Sequence, residues 1–232
     1  MPIDLTEIEQ HAPTVASLLG PADAALHNLG LADHDAHVVI AVDLARSNRA
    51  AVADGTMHLA LELIYALGLR FDTDAQVPVI GFGNEIVDIG EMTLGNAEDF
   101  FTTQMPEFDH THTDPEKLIE WIGSGGFDFA DGLPVLILVI TDGSSFDQPS
   151  EGVLHATREL VGMPVFVQFI GHSAGDGSFN LMRSLDEQLH QSSIFQDHIG
   201  FSMWPRGVVV TEPLVKDVLS EYARWVANRP AN

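Results

Sequence analysis

Apolar and polar positions alternate between two regimes along this chain. Short runs rich in β-branched residues recur: HVVIAVD at 37–43, VPVIGFG at 77–83, LPVLILVIT at 133–141, MPVFVQFIG at 163–171 and IGFSMW at 199–204. Continuous apolar runs of this length suit strands covered on both faces of a parallel sheet. Between them lie longer stretches with helical spacing. The most apolar runs from Met57 to Leu69; others are EKLIEWI, the segment around Glu151–Leu160, FNLMRSLDEQL and PLVKDVLSEYARWVAN. Asp114-Pro115 marks a helix start, with Asp as N-cap and Pro in the first turn. EIVDIGEMTL reads as a short edge strand and NAEDFFTTQM as a short helix. LARSNRAAVADGT and DHTHTD read as loops. LPVLILVIT is the most apolar strand and is expected near the middle of the sheet.

The first residues follow a different pattern. Residues 4–19 have helical spacing interrupted by Pro13, Gly20-Pro21 breaks it, and a second short helix runs to about Leu29. This reads as a helical N-terminal extension, residues 1–34, packed on a domain of residues 35–232. Strands alternating with helices predict an α/β fold, a doubly wound, mainly parallel sheet with helices on both faces. Such sheets bind ligands beyond the carboxyl ends of their strands, where the strand order reverses. The loops after Val42, Thr141 and Ile170 are therefore the expected site.

Composition narrows the function. At 232 residues, 45% hydrophobic and only 19% charged, the chain can fill a full core, which disfavours disorder. Its 34 acidic against 10 basic residues give a net charge of −24, which disfavours nucleic acid and anionic membranes. The same charge attracts divalent cations or basic partners. The absence of cysteine excludes disulfides and thiolate metal sites. The N-terminus lacks an apolar signal core, and no run is long enough to span a bilayer, so the cytoplasm is the expected compartment.

Two strands end alike, in Asp43 and in Asp142. Side by side at a switch point, these carboxylates repel unless a cation or a shared proton holds them. Ser47 and the threonines of THT add hydroxyl oxygens. An all-oxygen set suits Mg2+, Mn2+ or Ca2+.

These residues carry a resemblance. VVIAVDLARSNR is similar to the first strand and metal loop of von Willebrand factor A (VWA) domains, where the pattern is D-x-S-x-S. VLILVITDG resembles the second acidic element of that family, and HTDPEKLIEWI its threonine loop and following helix. The match is nearest to VWA domains of the tellurium-resistance TerF type and runs through almost the whole chain, including HAPTVASLL, LELIYALGLRFDTDAQVPVIGFGNEIVDIGEMTLGN and MPVFVQFIG. The resemblance implies a VWA/Rossmann-like fold and a non-enzymatic protein-interaction module. It further implies a metal-ion-dependent adhesion site (MIDAS) with Asp43, Ser47, Thr113 and Asp142 as metal ligands, Thr111 being the alternative to Thr113. One position would stay open for a partner's carboxylate. Ala45 stands where the pattern has its first serine, and Arg46 where glycine is usual, so the site is degenerate: either water fills the gap, or Arg46 partly neutralises the aspartates. A bacterial tellurite or chemical-stress system is the implied setting, with TerD-like proteins as partners.

The alternative function is a metal-dependent phosphoester hydrolase, for which His112 and His172 are the available bases. Asp109, His110, His112 and Asp114 offer a transition-metal or pH-sensitive rim, or merely a solvated loop. GFGNE (81–85) and HSAGDGS (172–178) lack the G-x-G-x-x-G spacing of a nucleotide loop. Ser144 or Ser145 with His172 lacks the G-x-S-x-G elbow. Phe127, Phe129 and Phe146 offer an apolar rim at the strand ends for a protein partner, or pack under their own loops.

Overall fold

The structure, a computed structural model, describes residues 4–72, 74–127, 132–143, 151–172 and 198–229. Six strands form one sheet: β1 (His37–Asp43), β2 (Val77–Phe82), β3 (Ile86–Met92), β4 (Val135–Thr141), β5 (Val165–Gly171) and β6 (Ile199–Met203). Their order is β3-β2-β1-β4-β5-β6, and only β3 runs antiparallel. The order reverses between β1 and β4, the two central strands. β1, β4 and β5 are buried along nearly their whole length, as their unbroken apolar sequences demand.

Alternate residues feed two cores. Val38, Ile40 and Val42 face one side with Leu136, Leu138 and Ile140. There they meet α1 (Leu5–His11), α2 (Pro13–Leu29), α4 (Thr56–Phe71) and the last helix, α8 (Glu212–Asn228). Val39 and Ala41 face the other side with Ile137 and Val139. They meet α6 (Pro115–Gly123) and α7 (Glu151–Glu159). Two short helices, α3 (Arg49–Ala53) and α5 (Phe100–Gln104), fill the connections. Asp114 caps α6, its Oδ1 accepting from Lys117 N–H at 3.3 Å. The helix expected at FNLMRSLDEQL lies outside the described residues.

Two expectations change. Gly20-Pro21 does not break the N-terminal helix. α2 begins at Pro13, where a missing N–H costs nothing, and continues through Pro21 to Leu29. Leu18, Leu19, Ala22, Ala25 and Leu26 are all buried against one core, so packing outweighs the hydrogen bond that Pro21 forfeits. The segment after β1 is not a plain loop either. It forms a 3-10 turn, Arg46–Asn48, that leads into α3. Among the described residues no single helix is long and apolar enough to cross a membrane.

Candidate functional site

The β1–β4 register pairs Val42 with Ile140, which brings Asp43 beside Thr141 on the same face. Asp43 is 1% exposed. Its Oδ1 accepts from Ala45 N–H at 2.9 Å and from the Thr113 hydroxyl at 2.7 Å. Its Oδ2 accepts from the Thr141 hydroxyl at 2.6 Å. Thr141 Oγ1 in turn accepts from Gly143 N–H at 3.0 Å, so one hydroxyl ties both strand ends together. Burial raises the Asp43 pKa; the bonds from Thr141, Thr113 and Ala45 oppose that, and the Asp142 charge adds to it. Asp142 stands one residue beyond Thr141 and is partly exposed.

Ser47 is exposed on the 3-10 turn. The turn is held by Asn48, fully buried, whose Nδ2 donates to the Asp43 carbonyl at 2.9 Å. Ala45 is 3% exposed and offers the carboxylate its backbone N–H rather than a hydroxyl. Arg46 turns away: its Nε donates to the Asp109 carbonyl at 2.8 Å. It therefore does not neutralise Asp43, on which the acting charge is that of Asp142.

The histidine loop is laced to the β1 loop. His110 N–H donates to the Leu44 carbonyl at 3.2 Å, and Arg46 N–H donates to the His110 carbonyl at 3.0 Å. Arg49 Nε reaches the Phe108 carbonyl at 2.7 Å. His110 Nδ1 accepts from Asn84 N–H at 3.2 Å, and Asp114 serves as a helix cap. Among the described residues no group of three His, Asp or Glu side chains gathers to hold a metal. The lacing also places the threonines: Thr113 is buried against Asp43, whereas Thr111 is exposed.

The glycines of GFG have structural reasons. A Cβ on Gly81 would stand 2.5 Å from Leu44 Cδ1, and one on Gly83 would stand 2.1 Å from His110 Nδ1. His172, just after β5, is buried, and neither ring nitrogen is hydrogen-bonded to a described residue. Burial pushes its pKa down to about 4 against the pull of Asp142, so its ring is neutral near pH 7. Ser144, Ser145, Phe129, Phe146 and residues 173–178 lie outside the described residues. Phe127 is not at the carboxyl ends of the strands. It stands beside His37 and Val135, at the amino ends of β1 and β4.

Thr141 and Asn48 escaped the sequence reading. Thr141 read as the last residue of an apolar strand with no role of its own, and only the register with β1 gives its hydroxyl a partner. Asn48 had a faint signal, as a polar residue five positions after Asp43 in a loop that must turn back sharply.

Solved structures share this fold at low identity. Proximal thread matrix protein 1 from the mussel byssus aligns with a TM-score of 0.56 at 14% identity, over 82% of this chain and 48% of that one. The chain thus spans about half the length of that matrix protein. A form of the same protein is described with a zinc-occupied MIDAS motif. The conserved hypothetical protein BatB from Bacteroides thetaiotaomicron aligns with a TM-score of 0.52 at 16% identity, over 83% of this chain and 100% of that one. The SpRpn10 VWA domain aligns at 0.50 and 9% identity, over 78% and 93%. No curated protein sequence matches the chain. A family model for vWA-TerF-like domains, described as the vWA found in the TerF C terminus, matches residues 35–231, and the chain belongs to that family.

Proposed function

We propose that this chain is a protein-interaction module whose binding face is the carboxyl end of the sheet, built on a degenerate MIDAS. The VWA fold supports an interaction role in the coarse sense. The observation that carries the finer reading is the Asp43 carboxylate, buried among hydroxyls and next to a second acid. A hydroxyl that donates to a carboxylate keeps its lone pairs for a cation. Asp43, Ser47, Thr113 and Asp142 form an all-oxygen set suited to a hard divalent ion, Mg2+, Mn2+ or Ca2+, with one ligand fewer where Ala45 stands. Bound there, the ion would offer an open position to a partner's carboxylate. The family match extends the reading to a bacterial tellurite or chemical-stress system in the cytoplasm, with a TerD-like partner. It also supports residues 1–34 as a helical extension to a domain of residues 35–232.

Calorimetric titration of the full chain with each of the three ions tests this. We expect binding heat with the wild type, its loss in Asp142→Ala and tighter binding in Ala45→Ser. No heat at millimolar ion would remove the metal from the reading. Phosphoester turnover that Asp142→Ala abolishes would instead identify a hydrolase.

A further inference from the structure

On the α6 side of the sheet, two neighbouring hollows of about 660 Å³ and 180 Å³ share Pro78, Glu91 and Phe127 and form one groove. Its floor is the outer sheet face, Pro78, Ile80 and Ile86. The aromatic wall is Trp121 and Phe127, packed edge to face with ring centroids 4.8 Å apart. The rim is acidic: exposed Asp88 and Glu91, with Asp72 and Asp74 at the narrow end. Among the described residues no Lys or Arg lines either hollow.

The aromatic wall is constructed by the sequence WIGSGGF. α6 ends with Gly125 at φ +89°; Gly125 N–H donates to the Ile122 carbonyl at 3.2 Å and Gly126 N–H to the Trp121 carbonyl at 3.1 Å. These are the two bonds of a Schellman stop, which folds the chain back over the helix end. A Cβ on Gly126 would stand 2.6 Å from the indole, so glycine is what lets Trp121 lie there.

We propose that this groove docks a segment of another protein with an apolar face flanked by Lys or Arg. Charge complementarity selects that occupant. Among the described residues of the wide hollow the only side-chain donor is the Trp121 indole, so a ligand must bring its own donors to the carboxylates. Anionic ligands are repelled, and a second copy of a chain with net charge −24 brings more of the same sign. An arginine satisfies the rim and stacks on the indole at once. The groove reaches the amino ends of β1 and β4, whereas Asp43 ends β1 on the far side, about 20 Å away along the strand. The two faces can therefore hold different partners.

Fluorescence anisotropy with a fluorescein-labelled amphipathic Leu/Lys peptide tests the groove on the full chain. Asp88→Asn with Glu91→Lys keeps the acceptor that Asp88 Oδ1 gives to Gly90 N–H. That pair should weaken binding by about tenfold or more, as should Trp121→Ala. The control pair Glu7→Gln with Glu9→Lys makes the same change in charge on exposed α1 positions and should cost less than about twofold. Equal losses in both charge pairs, or equal affinity for a peptide of lysine alone, would overturn the proposal in favour of diffuse attraction. EDTA should leave this binding unchanged; loss on chelation would assign the peptide to the strand-end face instead. Were Trp121→Ala misfolded by circular dichroism, the comparison of the exposed charge pairs still decides.

Discussion

Thr141 Oγ1 stands 2.6 Å from Asp43 Oδ2 and donates its proton to a carboxylate that lies almost wholly out of water. The same oxygen accepts from Gly143 N–H, so the hydroxyl is used twice. Thr141→Val keeps the shape but removes the donor to Asp43 Oδ2 and the acceptor of Gly143 N–H, while Oδ1 keeps its bonds from Ala45 and Thr113. A loss of about 1–3 kcal/mol is expected in urea denaturation near neutral pH. Thr141→Ser should recover most of it. An unchanged midpoint in the valine variant would mean the bond adds nothing to stability.

Glu62 makes the stability of α4 depend on pH. Burial raises its pKa to about 7, and the nearby charge of Glu98 adds to the rise. Glu98 is fixed by accepting from Thr14 N–H at 2.9 Å, near the start of α2. His58 Nε2 lies 3.5 Å from Glu62 Oε1, on a ring stacked against Phe101, and does not offset the burial. Between about pH 4.5 and 7 the folded form holds a proton that the unfolded form has released. This contribution is therefore complete below about 4.5 and is lost as pH rises through about 7. Glu62→Gln should raise the Tm relative to wild type at pH 8, with the gap closing on acidification. A gap independent of pH would contradict the assignment.

Gly68 lies inside α4, where helix propensity alone favours alanine by up to about 1 kcal/mol. Here the sign should reverse. An added Cβ would meet Val77 Cγ2 at 2.4 Å, where α4 presses on the start of β2. Gly68→Ala is expected to destabilise by about 1–3 kcal/mol through overpacking. Pairing it with Val77→Ala should return part of the loss, and a double-mutant cycle in urea reads that coupling.

Pro21 sits inside α2 with no N–H for the helix. Pro21→Ala restores a donor and should raise stability by up to about 3 kcal/mol, read from the denaturation midpoint. A loss instead would show that the packing of α2 against α4 and α8 depends on the proline ring.

Local chemistry was legible wherever it depends on neighbours in the chain. The Asp114 cap, the buried runs of β1, β4 and β5 and the edge position of β3 follow from spacing and residue type. Pro21 shows the limit: breaker rules describe an isolated helix, and the buried face of α2 overrides them. Phe127 shows another. Its neighbours in sequence suggested a strand-end rim near the acids, but α6 starts beside Asp43 and runs back along the sheet, which leaves Phe127 at the amino ends of β1 and β4.

By itself the sequence determined that Asp43 and Asp142 end buried strands, because only continuous apolar runs survive in the middle of a parallel sheet. The residues alone left Thr111 and Thr113 open, and it was the resemblance of HTDPEKLIEWI to the VWA threonine loop that favoured Thr113. Only the tertiary structure decided what those residues meet. The adjacency and register of β1 and β4, whose paired residues lie 98 positions apart, cannot be read from either segment alone. A shift of one residue would turn Thr141 to the other face of the sheet and deprive Asp43 of its closest donor.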